Sequence, residues 1–110
     1  MTEYKVITLP LAEDDIADQT DYIAFELKSP ETAVNMVNGF RKVINSLSLF
    51  PQSHEFDEDE ELAAYGIRKT YYKNYKIYFL INEMEQTVYI LRVFHMLVDS
   101  REKMLKMFRV

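Results

Sequence analysis

Apolar residues recur at Ala33, Val37, Phe40, Ile44 and Leu47, at spacings of four, three, four and three, which predicts an amphipathic helix. Ser29-Pro30-Glu31 supplies its cap and first turn, and Phe50-Pro51 ends it. A preceding helix is predicted over residues 11–28. Ile16, Ile23 and Leu27 lie on its inner side, Ala12, Ala17 and Ala24 fill gaps, and Glu13, Asp14, Asp18 and Asp21 face outward. So short a connection predicts an antiparallel helix hairpin laid over one face of a sheet.

The period changes to two after residue 65. Three consecutive antiparallel strands are predicted at residues 66–72, 75–82 and 87–95, joined by a tight turn at Lys73-Asn74 and a longer one over residues 82–86. Arg68, Thr70 and Tyr72 share one face of the first of these strands. In the last, Ile90, Arg92 and Phe94 share one face, and Tyr89, Leu91, Val93 and His95 the other. That strand is apolar on both faces, which predicts a central position. A short strand at residues 4–8 precedes the hairpin, and a short basic helix over residues 99–109 ends the chain. Asp99 or Ser100 would cap it, and Met104, Leu105, Met107 and Phe108 are its apolar residues. Residues 52–65 hold a dense acidic run with little apolar content and read as an exposed, mobile loop. The expected fold is α+β in one domain over residues 1–110: short N-terminal strand, helix hairpin, mainly antiparallel sheet, short C-terminal helix.

Charge divides the chain. Residues 1–65 carry four basic and fourteen acidic side chains, a balance of −10, whereas residues 66–110 carry nine basic and four acidic ones, a balance of +5. A basic, tyrosine-laden sheet within an acidic protein suggests a surface for something anionic or large, although the acidic half reads more simply as the solvated face of two helices. Cysteine is absent, which removes disulfides, thiol nucleophiles and thiolate metal sites and fits a reducing cytoplasm. No apolar run approaches the roughly 20 residues of a membrane span, so no membrane partner is expected. With two glycines in all, no Gly-rich phosphate loop can form, and neither a nucleotide cofactor nor any other is expected. His54 beside the acidic run lacks an ordered ligand spacing, so no metal site is expected there. The six methionines read as core filling.

The residues of chemical interest lie in the strands. His95 could act as acid or base, Arg68 and Arg92 could hold a phosphate bidentately, and Tyr75 or Tyr78 could stack on a base or donate a proton; a histidine ending a strand is more often a hydrogen-bonded structural residue, and tyrosines are ordinary strand formers. Arg92, between apolar neighbours, could equally pair with an acidic side chain of the chain itself.

The order of these features resembles the RelE/ParE toxin superfamily over nearly the whole chain. The carrying elements are the short N-terminal strand, Tyr22-Ile23 late in the first helix, Pro51 closing the second, Gly66-Ile67-Arg68, Tyr75-Lys76-Ile77-Tyr78, and the run Val88 to His95. That last run, followed by Asp99 and a basic helix, resembles the ParE branch more closely. The resemblance implies a bacterial type II toxin that inhibits DNA gyrase, contributes to plasmid stabilisation and is neutralised by a cognate antitoxin. The alternative is a RelE-like endonuclease that cuts mRNA on the ribosome. In the nuclease case Arg68, Arg92 and His95 are the catalytic candidates. In either case Arg68, Tyr75, Tyr78, Arg92, His95 and Arg101 are the expected target-binding residues.

Overall fold

Alternating side chains build a four-stranded sheet from β1 (Lys5–Thr8), β2 (Ile67–Tyr72), β3 (Tyr75–Asn82) and β4 (Thr87–His95). In the computed structural model, which describes residues 3–109, the strand order is β1-β4-β3-β2. β4 is interior, as its two apolar faces predict, and pairs antiparallel with β3 and parallel with β1. The fold is α+β, with a mainly antiparallel sheet.

The hairpin consists of α1 (Pro10–Asp21) and α2 (Pro30–Ser46). Glu13, early in α1, makes a two-pronged ion pair with Arg41, late in α2, and so fixes the antiparallel arrangement. Glu13 therefore lies between the helices rather than on the outer face. The predicted first helix changes character at its end: residues Tyr22–Glu26 form a π-helical turn. None of that turn is buried, and Leu27 is exposed rather than core. Along α2 the buried positions are Ala33, Met36, Phe40 and Ile44, with Leu47 just beyond; Met36 takes the inward place expected of Val37, which is half-buried.

Under the hairpin, Ile16, Phe40, Ile44, Ile77, Phe79, Val88, Ile90 and Val93 make the main core. Phe40 meets the rings of Tyr72 and Tyr75 at 4.7 and 5.2 Å. Gly39 admits the Tyr72 ring against the helix; a β-carbon at that position would collide with it. The opposite face carries a smaller cluster in which Tyr78, Leu91 and Phe94 meet Leu62, Met104 and Leu105.

Strict alternation fails once, in β4. Tyr78 pairs with Arg92 but Phe79 pairs with Ile90, so Leu91 is an extra, bulged residue. The bulge places Ile90 and Val93 together in the main core, and Leu91 and Phe94 in the smaller cluster. Ile90 and Phe94 thus lie on opposite faces, contrary to the two-residue period.

Residues 52–65 are ordered, not a mobile loop. A 3-10 turn at Pro51–Ser53 is followed by a bridge between Phe56 and Arg68 and by α3 (Glu60–Ala64). Asp59 caps α3 by accepting from the amides of Glu61 and Leu62, Leu62 is buried, and Gly66 (φ 85°) turns the chain into β2. The C-terminal helix is shorter than expected: α4 spans Arg101–Leu105, and turns follow it. Met104 and Leu105 are buried and Met107 and Phe108 half-buried. Of the remaining methionines, Met84 and Met96 are exposed rather than core, and Met1 lies outside the described residues.

β1 covers only the first part of β4, Thr87 to Ile90. Beyond it α1 takes over the edge: the Asp15 carboxylate accepts from the Val93 amide at 2.9 Å and from Arg92 Nε and Nη2 at 2.8 and 2.9 Å. Both side chains are largely sheltered. Replacing Asp15 with Ala leaves a sheltered guanidinium and a strand amide unpartnered, and should lower unfolding stability by about 2–4 kcal/mol. Asp15→Asn, which keeps an acceptor for Val93, should recover part of that loss. Urea unfolding of the two variants is the check.

Candidate functional site

On the sheet face away from the hairpin, Lys69 of β2 lies opposite Tyr78 of β3, and Lys76 lies two residues before Tyr78 on the same face. These three form the floor of a cleft of about 360 Å³. One wall is Asp57, Glu58 and Asp59, leading into α3; the other is the stretch from Val98 to Arg101, leading into α4.

Lys69 contacts Glu58 at 2.7 Å and Asp57 at 3.3 Å. Burial works against its charge, but the Glu58 hydrogen bond and the Asp57 charge outweigh burial and raise its pKa above the usual lysine value. Asp57 is buried. Its amide donates to the Ile67 carbonyl, one carboxylate oxygen accepts from the Asp59 amide, and the other has no hydrogen bond and faces Lys69. Arg101 Nε reaches Asp59 at 2.5 Å, and Glu61 is shared by Arg101 (3.1 Å) and Arg109 (2.7 Å). Tyr65 stacks on Phe108 at 5.0 Å beside this network, so α3 and α4 are clamped together over the smaller cluster.

Lys76 differs from these cations. Its ammonium donates to the Val98 carbonyl and to Ser100 Oγ, both at 2.9 Å, and no carboxylate lies within ion-pair range among the described residues. Burial first, and then the charge of Lys69, push its pKa down. Ser100 Oγ also meets the Tyr78 hydroxyl at 2.6 Å. Burial raises the pKa of that phenol, so it stays protonated. The cleft gathers three cations, Lys69, Lys76 and Arg101, against four carboxylates, Asp57, Glu58, Asp59 and Asp99.

The six residues expected to bind a target do not converge. Tyr78, with 3% of its surface exposed, and Arg101 belong to this cleft. Tyr75 and His95 pair across β3 and β4 on the hairpin face, with rings edge to face at 5.4 Å. His95 Nδ1 accepts from the Leu97 amide at 3.1 Å. Arg68, at the β2 edge, donates to the His54 carbonyl at 2.6 Å and lies 3.9 Å over the Phe56 ring. Arg92 is committed to Asp15. Sequence reasoning gave no site role to Lys69, Lys76, Asp57 or Asp59, and named Ser100 only as a candidate helix cap. Alternation around Tyr78 marks the two lysines, and Asp59 three residues before Leu62 marks a helix cap; the Ser100 and Asp57 contacts have no local signal. Among the described residues no three metal-ligating side chains gather at one point.

A family model described as the ParE toxin of type II toxin-antitoxin system, parDE, matches residues 6–99. Among solved structures, the toxin-antitoxin complex RelBE2 from Mycobacterium tuberculosis is similar at a TM-score of 0.62 and 23% identity, covering 86% of this chain and 93% of that one. The chromosomal ParDE TA system from P. aeruginosa is similar at a TM-score of 0.70 and 16% identity, covering 84% and 96%. At these identities the likeness is one of fold. No curated protein matches the sequence.

The clamp has a pH dependence of definite sign. Asp59 is held below the usual carboxyl range by the Leu62 amide and then by Arg101, Glu61 by Arg109, and Glu58 by Lys69. A depressed carboxyl pKa contributes stability that is complete above the unfolded value, about 4, and is lost as pH falls through the folded value. Hydrogen exchange should therefore show Leu62 and Ala63 of α3 losing protection on acidification before Phe79 of β3 does. Simultaneous loss at the two places would disprove an acid-labile clamp.

Proposed function

The chain belongs to the ParE toxin family of type II toxin-antitoxin systems, and from that membership we propose that it poisons DNA gyrase in the bacterial cytoplasm and is held inactive by a cognate antitoxin. The observation that carries the choice of target is internal neutralisation. Arg92 is bound to Asp15, and Arg101 to Asp59 and Glu61. Arg68 is spent on backbone carbonyls and the Phe56 ring. Cutting mRNA requires cations free to stabilise a phosphorane, and the cleft holds one more carboxylate than it has cations. A protein target needs no such surplus.

Exposed apolar surface supports an antitoxin partner. Tyr22, Phe25, Leu27 and Val34 are exposed at the far end of the hairpin, and Met96 and Leu97 are exposed after β4. Patches of this kind are usually covered by another polypeptide. No described helix is long and apolar enough to cross a membrane. Target contact is assigned to Arg68 and His95, which are half-buried, and to exposed Arg101. Tyr75 supports His95, Tyr78 supports Ser100, and Arg92 acts through the fold.

Purified chain added to a gyrase supercoiling reaction should inhibit it, and a ribosome-coupled mRNA cleavage reaction should proceed unchanged. Replacing Arg68 and His95 together with Ala should raise the half-inhibitory concentration about tenfold, the size of effect expected when surface contacts worth about 1–2 kcal/mol are removed. Cleavage of mRNA in the ribosomal A site with intact supercoiling would replace this reading with the endonuclease one.

A further inference from the structure

Two donors of the Lys76 ammonium are held by protein acceptors, as both donors of its free amine would be. A neutral amine has two N–H donors and a lone pair, whereas an ammonium has three donors. Two acceptors are present, the Val98 carbonyl and Ser100 Oγ, both at 2.9 Å. The neighbouring cations Lys69 and Arg101 each have carboxylate partners, and Lys76 has none within ion-pair range among the described residues. The amine opens on the 360 Å³ cleft, large enough for a small ligand.

We propose that Lys76 is a modification site that accepts an acyl group from a small activated donor, an acyl phosphate or an acyl thioester, and that this acylation loosens α4. The Lys76 lone pair attacks the acyl carbonyl carbon and a C–N bond forms. The bond from that carbon to the phosphate oxygen or thioester sulfur breaks, its electron pair leaves with the phosphate or thiolate, and the amine proton passes to that leaving group. No oxidant or reductant is required.

Burial and the facing charge of Lys69 on β2 favour the reactive free amine. Asp57 and Glu58 before α3 and Asp99 before α4 favour the ammonium and are the weaker influence. The amide product has no charge and a single N–H, too few donors for both Val98 and Ser100. The connector into α4 thereby loses one of its ties, and Ser100 is left with Tyr78. The inference does not depend on which target the chain attacks.

The test uses the folded full-length chain, incubated in parallel with acetyl phosphate and with acetyl-coenzyme A, and reads acetylation at each lysine by mass spectrometry over time. Lys76 should be modified several-fold faster than the exposed lysines Lys42 and Lys106 with at least one donor, and ion-paired Lys69 should lag behind all three. The donor that gives the faster reaction identifies the source. A Lys76 rate at or below that of Lys42 and Lys106 with both donors would overturn the proposal. In singly acetylated protein, hydrogen exchange at Met104 and Leu105 should rise; unchanged exchange there would overturn the link to α4.

Discussion

The carboxylate of Asp15 holds the two layers of this protein together. A parallel strand of four residues, β1, can satisfy only part of the β4 edge, and the rest would expose unpaired amides beside a helix. Asp15 projects from the second turn of α1 and accepts from the Val93 amide and both prongs of Arg92. One side chain thus ends the strand edge, fixes the helix and neutralises an arginine lodged between apolar neighbours. The bulge at Leu91 belongs to the same solution. It shifts β4 by one residue, so that Val93 enters the main core while Phe94 turns to the other face and lies 4.5 Å from the Arg92 guanidinium.

Legibility of the fold in the sequence followed the range of the interactions. α2 and the three C-terminal strands were readable because their signals are local: four apolar turns in one, alternation bounded by turn residues in the others. The Asp15–Arg92 pair was not, since its members lie 77 residues apart and every early carboxylate of α1 suits a solvated outer face equally well. The bulge was invisible for a related reason: Leu91 and Val93 are both apolar, and a slip in register between them leaves no compositional trace. The acidic run was misread because order there rests on very few residues, the Asp59 cap and the buried Leu62, and on cations supplied from β2 and α4. Of the candidate site, Tyr78 and Arg101 were legible as residues, but their setting was not.

The charge asymmetry along the chain is partly undone in space. Basic side chains of the second half meet acidic ones of the first: Arg92 with Asp15, Lys69 with Asp57 and Glu58, Arg101 with Asp59 and Glu61. What a partner meets is therefore not the +5 of the C-terminal half but a surface whose strongest charges are already paired and whose hairpin tip is apolar. Long-range steering toward nucleic acid needs an unpaired surplus of cations, and these pairings reduce it.

These pairs differ in strength, and the difference divides the molecule. Asp15 and Arg92 are sheltered and hydrogen-bonded to the backbone, so breaking them leaves charges that water cannot readily reach. The pairs joining α3 to α4 are partly exposed, between a quarter and a half, a class in which each contributes about 0–1 kcal/mol. α4 has five residues, too few to be stable as a helix alone. Its place over the smaller cluster thus depends on Met104 and Leu105 beneath it, weak ion pairs beside it, and the Lys76 and Tyr78 ties to the connector before it. The hairpin face is tied to β4 through Asp15, and the cover on the opposite face through Met104, Leu105 and the contacts of Lys76 and Tyr78, so a change at one cleft side chain would bear on the cover rather than on the hairpin.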